Sequence, residues 1–235
     1  MNKMKIALLG YGRMGKAIER IAMERGHEIV LKIDVDHPQF DIKQADIAID
    51  FSDPSAAYEN LKNCINNNVP VVCGTTGWLS RYDEFIDYCN QKNGAFIYAS
   101  NFSIGVNLFF NVNEYLAKMM NNIKGYEVEM EEIHHIHKVD APSGTAITLA
   151  EQIIENSDKD RWKLDSAKQN ELLIKVKREG EVPGTHSIAY RSKVDAIEIK
   201  HTAFNRDGFA YGAVIAAEWL LGKQGVFDMK DVLNI

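Results

Sequence analysis

The sequence predicts an α/β protein built from two domains. Over residues 5–99, short apolar strands alternate with amphipathic helices, which is typical of a parallel sheet covered by helices on both faces. After a long helical pattern at 106–120, several strand patterns follow one another with few helices between them. Such a run indicates a mixed sheet in an α+β domain.

Composition and charge exclude several classes of protein. The 235 residues are 46% apolar with a formal net charge of -6, so a substantial core is expected and nucleic acid is not expected as a partner. No stretch approaches the roughly 20 apolar residues of a membrane span, and the apolar run at 6–9 is too short for a signal peptide. Cys64, Cys73 and Cys89 have neither metal nor redox spacing and are expected in the core. We therefore expect a cytoplasmic protein that contacts neither nucleic acid nor membrane.

A glycine motif follows the first predicted strand, residues 5–9. Gly10-Tyr11-Gly12-Arg13-Met14-Gly15 fits the pattern G-x-G-x-x-G and leads into an amphipathic helix at 16–25. In such a motif the first glycine permits a tight turn, the second lets backbone N–H groups approach a pyrophosphate, and the third allows close packing of helix on strand. The pattern also occurs as a plain tight turn in other α/β proteins. Its position between a strand and a helix favours a dinucleotide-binding domain of Rossmann type.

Asp34 ends the second predicted strand, residues 28–33, and lies about 20 residues beyond the motif. An acidic side chain there accepts hydrogen bonds from the adenosine ribose hydroxyls and repels a 2′-phosphate. We therefore expect NADH to be the favoured cofactor. Arg13, Lys16 and Lys32 are cations from which a phosphate could be reached, so NADPH stays the alternative.

The other elements of the first domain bring small polar loops to one rim. Residues 36–45 are too few for a usual helical crossover, so this part of the fold is abbreviated. Strands are expected at 47–51, 69–73 and 95–99, and helices at 56–66 and 80–92. The last two strands end in Gly74-Thr75-Thr76-Gly77 and Ser100-Asn101-Phe102-Ser103. Because ligands of open parallel sheets lie off the carboxyl ends of strands, this rim is expected to face the cofactor.

The second part of the chain is expected to hold one helix between strands and a final helix. Strands are predicted at 126–135, 172–178, 186–190 and 196–201, helices at 146–154 and 208–221, and a polar connection at 156–170.

The residues best suited to catalysis or ligand binding lie at the end of the strand at 126–135 and before the helix that follows. His134, His135, His137 and Lys138 fall within five residues and precede Pro-Ser-Gly-Thr at 142–145. Ser143 is a good N-cap, and a helix start presents unpaired N–H groups and partial positive charge to an anion. Imidazole and ammonium groups can move protons. The stretch therefore predicts a site that holds a carboxylate and protonates a reaction intermediate.

Two other interpretations stay open for this stretch: a capped helix with surface histidines, and a metal site. On a strand, His135 and His137 would share one face while His134 points to the other. Neither Cys-x-x-Cys nor His-Glu-x-x-His accompanies them. No metal is expected.

Five motifs extend the pattern over nearly the whole chain. They are Gly-Thr-Thr-Gly at 74–77, Ser-Asn-Phe-Ser-Ile-Gly-Val-Asn at 100–107, Glu-Ile-His-His-Ile-His-Lys-Val-Asp-Ala-Pro-Ser-Gly-Thr-Ala at 132–146, Val-Pro-Gly-Thr at 182–185 and Gly-Val-Phe-Asp-Met-Lys-Asp-Val at 225–232. Together they resemble the 4-hydroxy-tetrahydrodipicolinate reductase (dihydrodipicolinate reductase) family of the diaminopimelate and lysine pathway. The motif at 132–146 is highly specific.

The resemblance implies an oxidoreductase that transfers hydride from a nicotinamide to a cyclic imine dicarboxylate. It implies that His134 donates or accepts a proton and that Lys138 is the proton donor. Substrate would be bound by His135, Ser143, Gly144 and Thr145. Cofactor contacts are expected from Gly10, Tyr11, Gly12, Arg13, Met14, Gly15, Asp34, Gly74, Thr75, Thr76, Ala99, Ser100, Asn101 and Phe102.

The resemblance also implies an architecture. Residues 1–103 plus 208–235 would form the dinucleotide-binding domain, and residues 104–207 a substrate-binding domain whose sheet also assembles a homotetramer. Domain closure would bring hydride and imine together.

Three features depart from the family pattern. The segment between Asp34 and Ile47 is much shorter than in many relatives, so its adenosine contacts are in doubt. Asp53 stands where some relatives carry a basic residue, which disfavours a 2′-phosphate further, and Ile136 replaces a commonly basic position.

Two other functions remain alternatives. One is a related two-domain dehydrogenase that acts on a hydroxyl substrate. The other is a non-catalytic NAD-binding sensor.

Overall fold

A computed structural model describes residues 3–34 and 40–235 of the chain. It divides into two compact units, Met1–Ile104 with Asp207–Ile235, and Gly105–Arg206. The expected boundaries after residues 103 and 207 lie within one residue of this division. None of the helices in the described ranges is both long and apolar enough to span a bilayer.

The elements in chain order are β1 (Lys5–Leu9), α1 (Arg13–Glu24), β2 (Glu28–Ile33), β3 (Ile47–Asp50), α2 (Pro54–Asn66), β4 (Val71–Cys73), α3 (Tyr82–Gln91), β5 (Ala95–Tyr98), α4 (Ile104–Met120), β6 (Glu127–His134), α5 (Gly144–Glu155), β7 (Arg161–Lys163), β8 (Glu171–Arg178), β9 (Gly184–Arg191), β10 (Ala196–Ala203), α6 (Asp207–Leu220), β11 (Gly225–Phe227) and α7 (Met229–Leu233). Single 3₁₀ turns lie at Ile42–Gln44 and Leu79–Arg81.

The first unit contains a six-stranded parallel sheet in the order β11-β5-β4-β3-β1-β2. The strand order reverses between β1 and β3, which is the switch point where ligands of such sheets bind. One apolar core packs α1 and α6 on the sheet, and a second packs α2 and α3 on it. The predicted Rossmann-type α/β fold is confirmed.

The second unit contains a five-stranded mixed sheet in the order β10-β9-β6-β8-β7. Strands β6, β8 and β7 are parallel, whereas β9 is antiparallel to both of its neighbours, β6 and β10. Helices α4 and α5 supply Leu116, Leu149 and Ile153 to a core with Ile174 and Ile188 of the sheet. The predicted mixed sheet is confirmed.

Two short edge strands and one short helix are absent from the sequence prediction. Strand β7 lies inside the segment 156–170 that was expected to be a connection, and β11 and α7 follow the final predicted helix. Each edge strand has three residues, too few for an alternating pattern, and each is held by pairing with one neighbour, β8 or β5.

The prediction was also wrong at two functional boundaries. Helix α1 begins at Arg13 rather than at residue 16, because Gly12 takes the extended N-cap conformation inside the glycine motif. Strand β6 ends at His134, so His135 and His137 do not lie on a strand. The chain turns there instead, with the Lys138 N–H donating to the His135 carbonyl (3.1 Å).

The abbreviated segment after Asp34 is described only from Phe40 onward, where it holds the 3₁₀ turn Ile42–Gln44. Residues 35–39 lie outside the described ranges.

Candidate active site

The glycine motif of the first unit shapes an open site at the start of α1. An ideal Cβ on Gly10, whose φ is +94°, would lie 2.1 Å from the Phe51 carbonyl oxygen, and one on Gly15 would lie 2.3 Å from the Gly10 carbonyl oxygen. A Cβ on Gly12, in contrast, would have no described atom within 4 Å. The motif therefore closes tightly at its two ends and leaves its middle open beside the helix N–H groups. This shape fits a dinucleotide pyrophosphate.

Tyr11, Glu19 and Lys32 form a polar cluster beside this turn. The Tyr11 hydroxyl donates to the Glu19 carboxylate, and Lys32 Nζ lies 2.5 Å from Glu19 Oε1. Hydrogen bonds from Lys32 and Tyr11 hold the pKa of Glu19 below its ordinary value. Lys32 is thus already paired. Arg13 and Lys16 are exposed, and Asp34 is exposed just after β2.

A buried carboxylate, Asp50, connects the loops at the carboxyl ends of β3 and β4. The Asp50 side chain has no exposed surface and accepts hydrogen bonds from the Thr75 hydroxyl, the Ser52 hydroxyl (3.0 Å) and Asn60 Nδ2 (3.0 Å). The Ser52 N–H in turn donates to Thr75 Oγ1 (2.8 Å). Burial raises the pKa of Asp50, and these hydrogen bonds oppose the rise.

Because of its hydrogen bond to Asp50, Thr75 differs from the other residues of its loop that were predicted to contact the cofactor. Its hydroxyl points to Asp50 and is buried, while Thr76 is exposed and Gly74 is half-buried. Asp50 was missed by the sequence reasoning. The available signal was a carboxylate inside the predicted strand 47–51, whose other residues are apolar.

The residues of the loop after β5 also differ from one another in burial. Phe102 is 2% exposed and packs in the core beside Phe51, whereas Ser100 is exposed and Ala99 and Asn101 are half-buried. A role for Phe102 in cofactor binding would therefore use its main chain.

In the second unit, β6 carries His134 to a buried position at its carboxyl end. The imidazole is 6% exposed, and its Nδ1 lies 3.7 Å from Glu132 Oε2. Burial lowers the pKa of His134, the Glu132 carboxylate opposes this, and Lys138 and Arg178 add to the lowering. At neutral pH the group is therefore mainly a neutral imidazole.

Lys138 lies on the segment 135–143 between β6 and α5, named here the catalytic loop. Its ammonium is 2.7 Å from Asp140 Oδ1 and 2.8 Å from Oδ2. Partial burial works to raise the pKa of Asp140, but the hydrogen bonds and charge of Lys138, together with a backbone hydrogen bond and His134, outweigh it and leave that pKa low. Lys138 is thus paired with an exposed carboxylate, and a carboxylate of a ligand can displace that partner.

The start of α5 has the features of an anion site. Ser143 is its N-cap, with Oγ accepting from the Ala146 N–H (3.2 Å). An ideal Cβ on Gly144 would meet no described atom within 4 Å, so its backbone is open to approach. Thr145 is half-buried beside it. A carboxylate can therefore reach the first turn of the helix.

The side chains of His134, His135 and His137 do not all belong to one site. His134 is buried, His135 is half-buried, and the His137 side chain is 69% exposed with Nε2 3.2 Å from Glu181 Oε1. Only His134 of the three joins the buried polar network.

That network includes Glu132 and His186, which the sequence reasoning missed. Glu132 has no exposed surface and accepts the Ser143 N–H (2.9 Å), and His186 Nε2 lies 3.1 Å from Ser143 Oγ. Burial lowers the pKa of His186 to about 4. Only the register of β6, β8 and β9 brings these residues together, so their sequence positions carried little signal.

Glu132, His134 and His186 each offer a ligand atom within 4.8 Å of the others, the geometry of a potential metal site. The Glu132 carboxylate already accepts the Ser143 N–H and the Arg178 guanidinium. A hydrogen-bonded network accounts for the cluster, and absence of a metal stays a prediction.

Comparison with known proteins covers both units. Residues 4–102 match the family described as dihydrodipicolinate reductase, N-terminus, and residues 105–233 match its C-terminus counterpart. The 4-hydroxy-tetrahydrodipicolinate reductase of Christiangramia forsetii is 54% identical over 98% of both chains, and that of Neisseria meningitidis serogroup B is 32% identical over 100% of this chain and 99% of the relative.

A solved structure has the same fold. The dipicolinate-bound dihydrodipicolinate reductase from Paenisporosarcina sp. TG-14 aligns with a TM-score of 0.81 and 22% identity, covering 97% of this chain and 98% of the other.

Proposed function

The chain belongs to the dihydrodipicolinate reductase family, and we propose that it is a 4-hydroxy-tetrahydrodipicolinate reductase. The reaction is the NAD(P)H-dependent reduction of a cyclic imine dicarboxylate to tetrahydrodipicolinate, a step of lysine and diaminopimelate biosynthesis. The observation that carries the proposal is the arrangement of the catalytic loop. It follows buried His134 at the end of β6, presents Lys138, and ends at the open helix start at Ser143 and Gly144.

Substrate binding is assigned to the second unit. A substrate carboxylate accepts hydrogen bonds from the backbone at Gly144 and Thr145, where the helix dipole favours negative charge. His135 contacts the ring, and Ser143 keeps the helix start in place as its N-cap. Lys138 exchanges its pairing with Asp140 for the second carboxylate or for the ring nitrogen.

A reduced nicotinamide, when bound, supplies the hydride. The residues assigned to hold that cofactor are the glycine motif 10–15, Asp34, the turn 74–76 and residues 99–102. Gly12 leaves room for the pyrophosphate and Asp50 holds the two loops of the rim together.

Proton delivery is assigned to Lys138 and His134. Once the C=N/C=C system has gained a hydride, its nitrogen or enamine carbon is electron-rich and must be protonated. Lys138 is the donor. Because burial keeps His134 mainly neutral, it accepts or passes on a proton beside Lys138.

The favoured cofactor is NADH. Asp34 lies exposed after β2, where an adenosine ribose is expected, and the Asp53 carboxylate caps α2 on the same rim. Hydrogen bonds from Ser55 keep the pKa of Asp53 low, so it adds a fixed negative charge. Lys32 is paired with Glu19. These charges oppose a 2′-phosphate, and NADPH remains the alternative.

We assign the functional unit to a cytoplasmic homotetramer. The three cysteines are buried free thiols, which suits a reducing compartment. Assembly through the second sheet is supported by exposed apolar Ile197 on its edge strand β10. Light scattering on the eluted protein should give four chains per particle, and a monomer would refute this assembly.

The function is tested by following NADH oxidation with freshly generated dihydrodipicolinate precursor. Turnover is expected, and a rate no higher than that of His134→Ala would contradict the proposal. A dehydrogenase acting on a hydroxyl would instead reduce NAD with its alcohol substrate. A non-catalytic sensor would bind NADH by fluorescence without any turnover.

A further inference from the structure

Glu132 and Arg178 form a charged pair on adjacent strands beneath the catalytic loop. Arg178 Nη1 and Nη2 lie 3.2 and 3.3 Å from Glu132 Oε1. Glu132 is fully buried, and the Arg178 side chain is 21% exposed. The register of β6 and β8 places Arg178 opposite His134.

Two further hydrogen bonds from Arg178 reach the catalytic loop, and Nη1 also donates to the Lys177 carbonyl (3.0 Å). Nη2 donates to the Asp140 carbonyl (2.7 Å) and Nε to the Lys138 carbonyl (3.3 Å). The planar guanidinium therefore joins a strand of the sheet to the backbone on both sides of Val139. A lysine ammonium in its place cannot hold the same set of acceptors in a fixed plane.

The second carboxylate oxygen of Glu132 serves the other parts of the site. Glu132 Oε2 accepts the Ser143 N–H at the end of the loop (2.9 Å) and faces His134 Nδ1 (3.7 Å) and His186 Nε2 (3.8 Å). One buried carboxylate thus accepts a hydrogen bond from the N-cap residue of the anion site and faces, beyond hydrogen-bond distance, the buried Nδ1 of the imidazole assigned to proton transfer.

A buried ion pair is a poor source of stability, because desolvation of two charges offsets their attraction. The pair also has no part in the reaction as described above. Its contacts go to the segments that carry His134, Lys138 and Ser143, which favours a role in their geometry.

We propose that Glu132 and Arg178 are positioning residues for the reduction, holding the catalytic loop and His134 in one arrangement. The proposal rests on the proposed function for the reaction itself. Arg178 fixes the backbone that carries Lys138, and Glu132 fixes the helix start and orients the His134 ring. Neither residue exchanges a proton with the substrate.

The charge of Glu132 should also be visible in the titration of His134. The groups that act on that imidazole are Glu132, Lys138, Arg178, Asp140 and His186. Burial is the largest influence and lowers the pKa of His134, and the Glu132 carboxylate is the main influence that raises it. Removing that charge should lower this pKa further.

The test compares wild type, Glu132→Gln, Arg178→Lys and the neutral double variant E132Q/R178M. The double variant leaves no unpaired buried charge, so it keeps a folded protein in the set. The matched control is Glu131→Gln. Glu131, which is half-buried, and exposed Lys177 form a pair (2.7 Å) one residue earlier on the same two strands, on the opposite face of the sheet.

Three experiments are made: steady-state kinetics with the reduced cofactor in excess for kcat and KM, calorimetry for the dipicolinate Kd, and NMR for the His134 titration. We expect kcat to fall at least about tenfold in the three test variants. Arg178→Lys should weaken dipicolinate binding about fivefold or more. Glu132→Gln should move the His134 titration to lower pH. Glu131→Gln should match wild type throughout.

A purely structural role would lower only the urea midpoint and leave kcat, dipicolinate Kd and the His134 titration equal to those of the control. That result would overturn the proposal. If wild type fails to reduce the precursor, the proposed function is wrong. In that case, the calorimetry and the NMR titration still decide whether Glu132 and Arg178 set the geometry of the loop.

Discussion

The hydroxyl of Thr75 donates a hydrogen bond to the carboxylate of Asp50, a side chain without exposed surface at the end of β3. Ser52 and Asn60 donate to the same carboxylate. Two loops that follow neighbouring strands of the first sheet are thereby tied to one buried carboxyl group. The hydrogen bonds to Asp50 therefore hold in place the loops assigned to the cofactor, and the groups that make these bonds do not face the cofactor.

Asp50→Ala should destabilise the protein by about 2–4 kcal/mol, because several buried donors lose their acceptor. It should also weaken NADH binding, since the loops at 52 and 75 lose their common anchor. Urea denaturation and fluorescence titration with NADH measure the two effects. Asp46→Ala is the control, because Asp46 accepts the Lys5 N–H in an exposed position at the opposite end of β3. Equal effects of both variants on NADH binding would contradict this assignment.

Alanine at Gly12 and at Gly15 should have opposite consequences. At Gly12 the new methyl group meets no described atom within 4 Å, so the fold should persist while the pyrophosphate site is filled. NADH affinity should fall at least about tenfold with little change in Tm. At Gly15 the methyl group would lie 2.3 Å from the Gly10 carbonyl oxygen, and we expect destabilisation of about 3 kcal/mol. A Gly12→Ala variant that binds NADH like wild type would place the cofactor elsewhere.

The three neighbouring histidines provide an internal control for proton transfer. His134→Ala and Lys138→Ala should each lower kcat about 10²–10⁴-fold, the usual range for loss of a positioned acid or base. His137→Ala should leave kcat within about twofold, because that imidazole is exposed, pairs with the Glu181 side chain and lies beside the His135 ring rather than in the buried polar network. The kcat of each variant is measured by steady-state kinetics at saturating precursor. Comparable losses at 134 and 137 would mean that burial does not distinguish their roles.

Asp34→Ala should reduce the preference for NADH over NADPH. The substitution removes a charged acceptor for the ribose hydroxyls, worth about 1.5–3 kcal/mol, and removes repulsion of a 2′-phosphate. We expect kcat/KM for NADH to fall by about tenfold or more while that for NADPH is unchanged or rises. Wild-type kinetics with both cofactors provide the baseline. A wild-type preference for NADPH would refute the role given to Asp34.

His186 should make the protein less stable in mild acid. In the folded chain burial lowers the pKa of His186 to about 4, whereas in the unfolded chain it is about 6.5. Between these values the unfolded state binds more protons, so stability falls as the pH drops from about 6.5 to about 4. The loss is on the order of 3 kcal/mol.

His186→Asn, which keeps a donor near Ser143 Oγ, should flatten this dependence. Urea midpoints at several pH values between 4 and 7 compare the two proteins. If wild type and variant lose stability in parallel, His186 does not cause the acid sensitivity.

Local patterns in the sequence were enough to predict the fold class, which the structure confirms, and to select most residues of the two candidate sites. Strand and helix periodicity, the glycine motif, Asp34 after β2 and the Ser143 N-cap are each properties of short segments, and the structure contains all of them. Such patterns indicate which residues of a segment face a core. That is a local property of the chain.

Only the tertiary structure decided which polar groups meet. Glu132, Arg178 and His186 belong to three strands, and Asp50 ends one strand while Thr75 lies in the loop after the next, so their contacts depend on strand register and strand order. The burial of His134 and exposure of His137 depend on where β6 ends, and β7 and β11 exist through pairing at a sheet edge. The sequence pattern shows that a side chain is buried, but the identity of its partner is a long-range property set by packing.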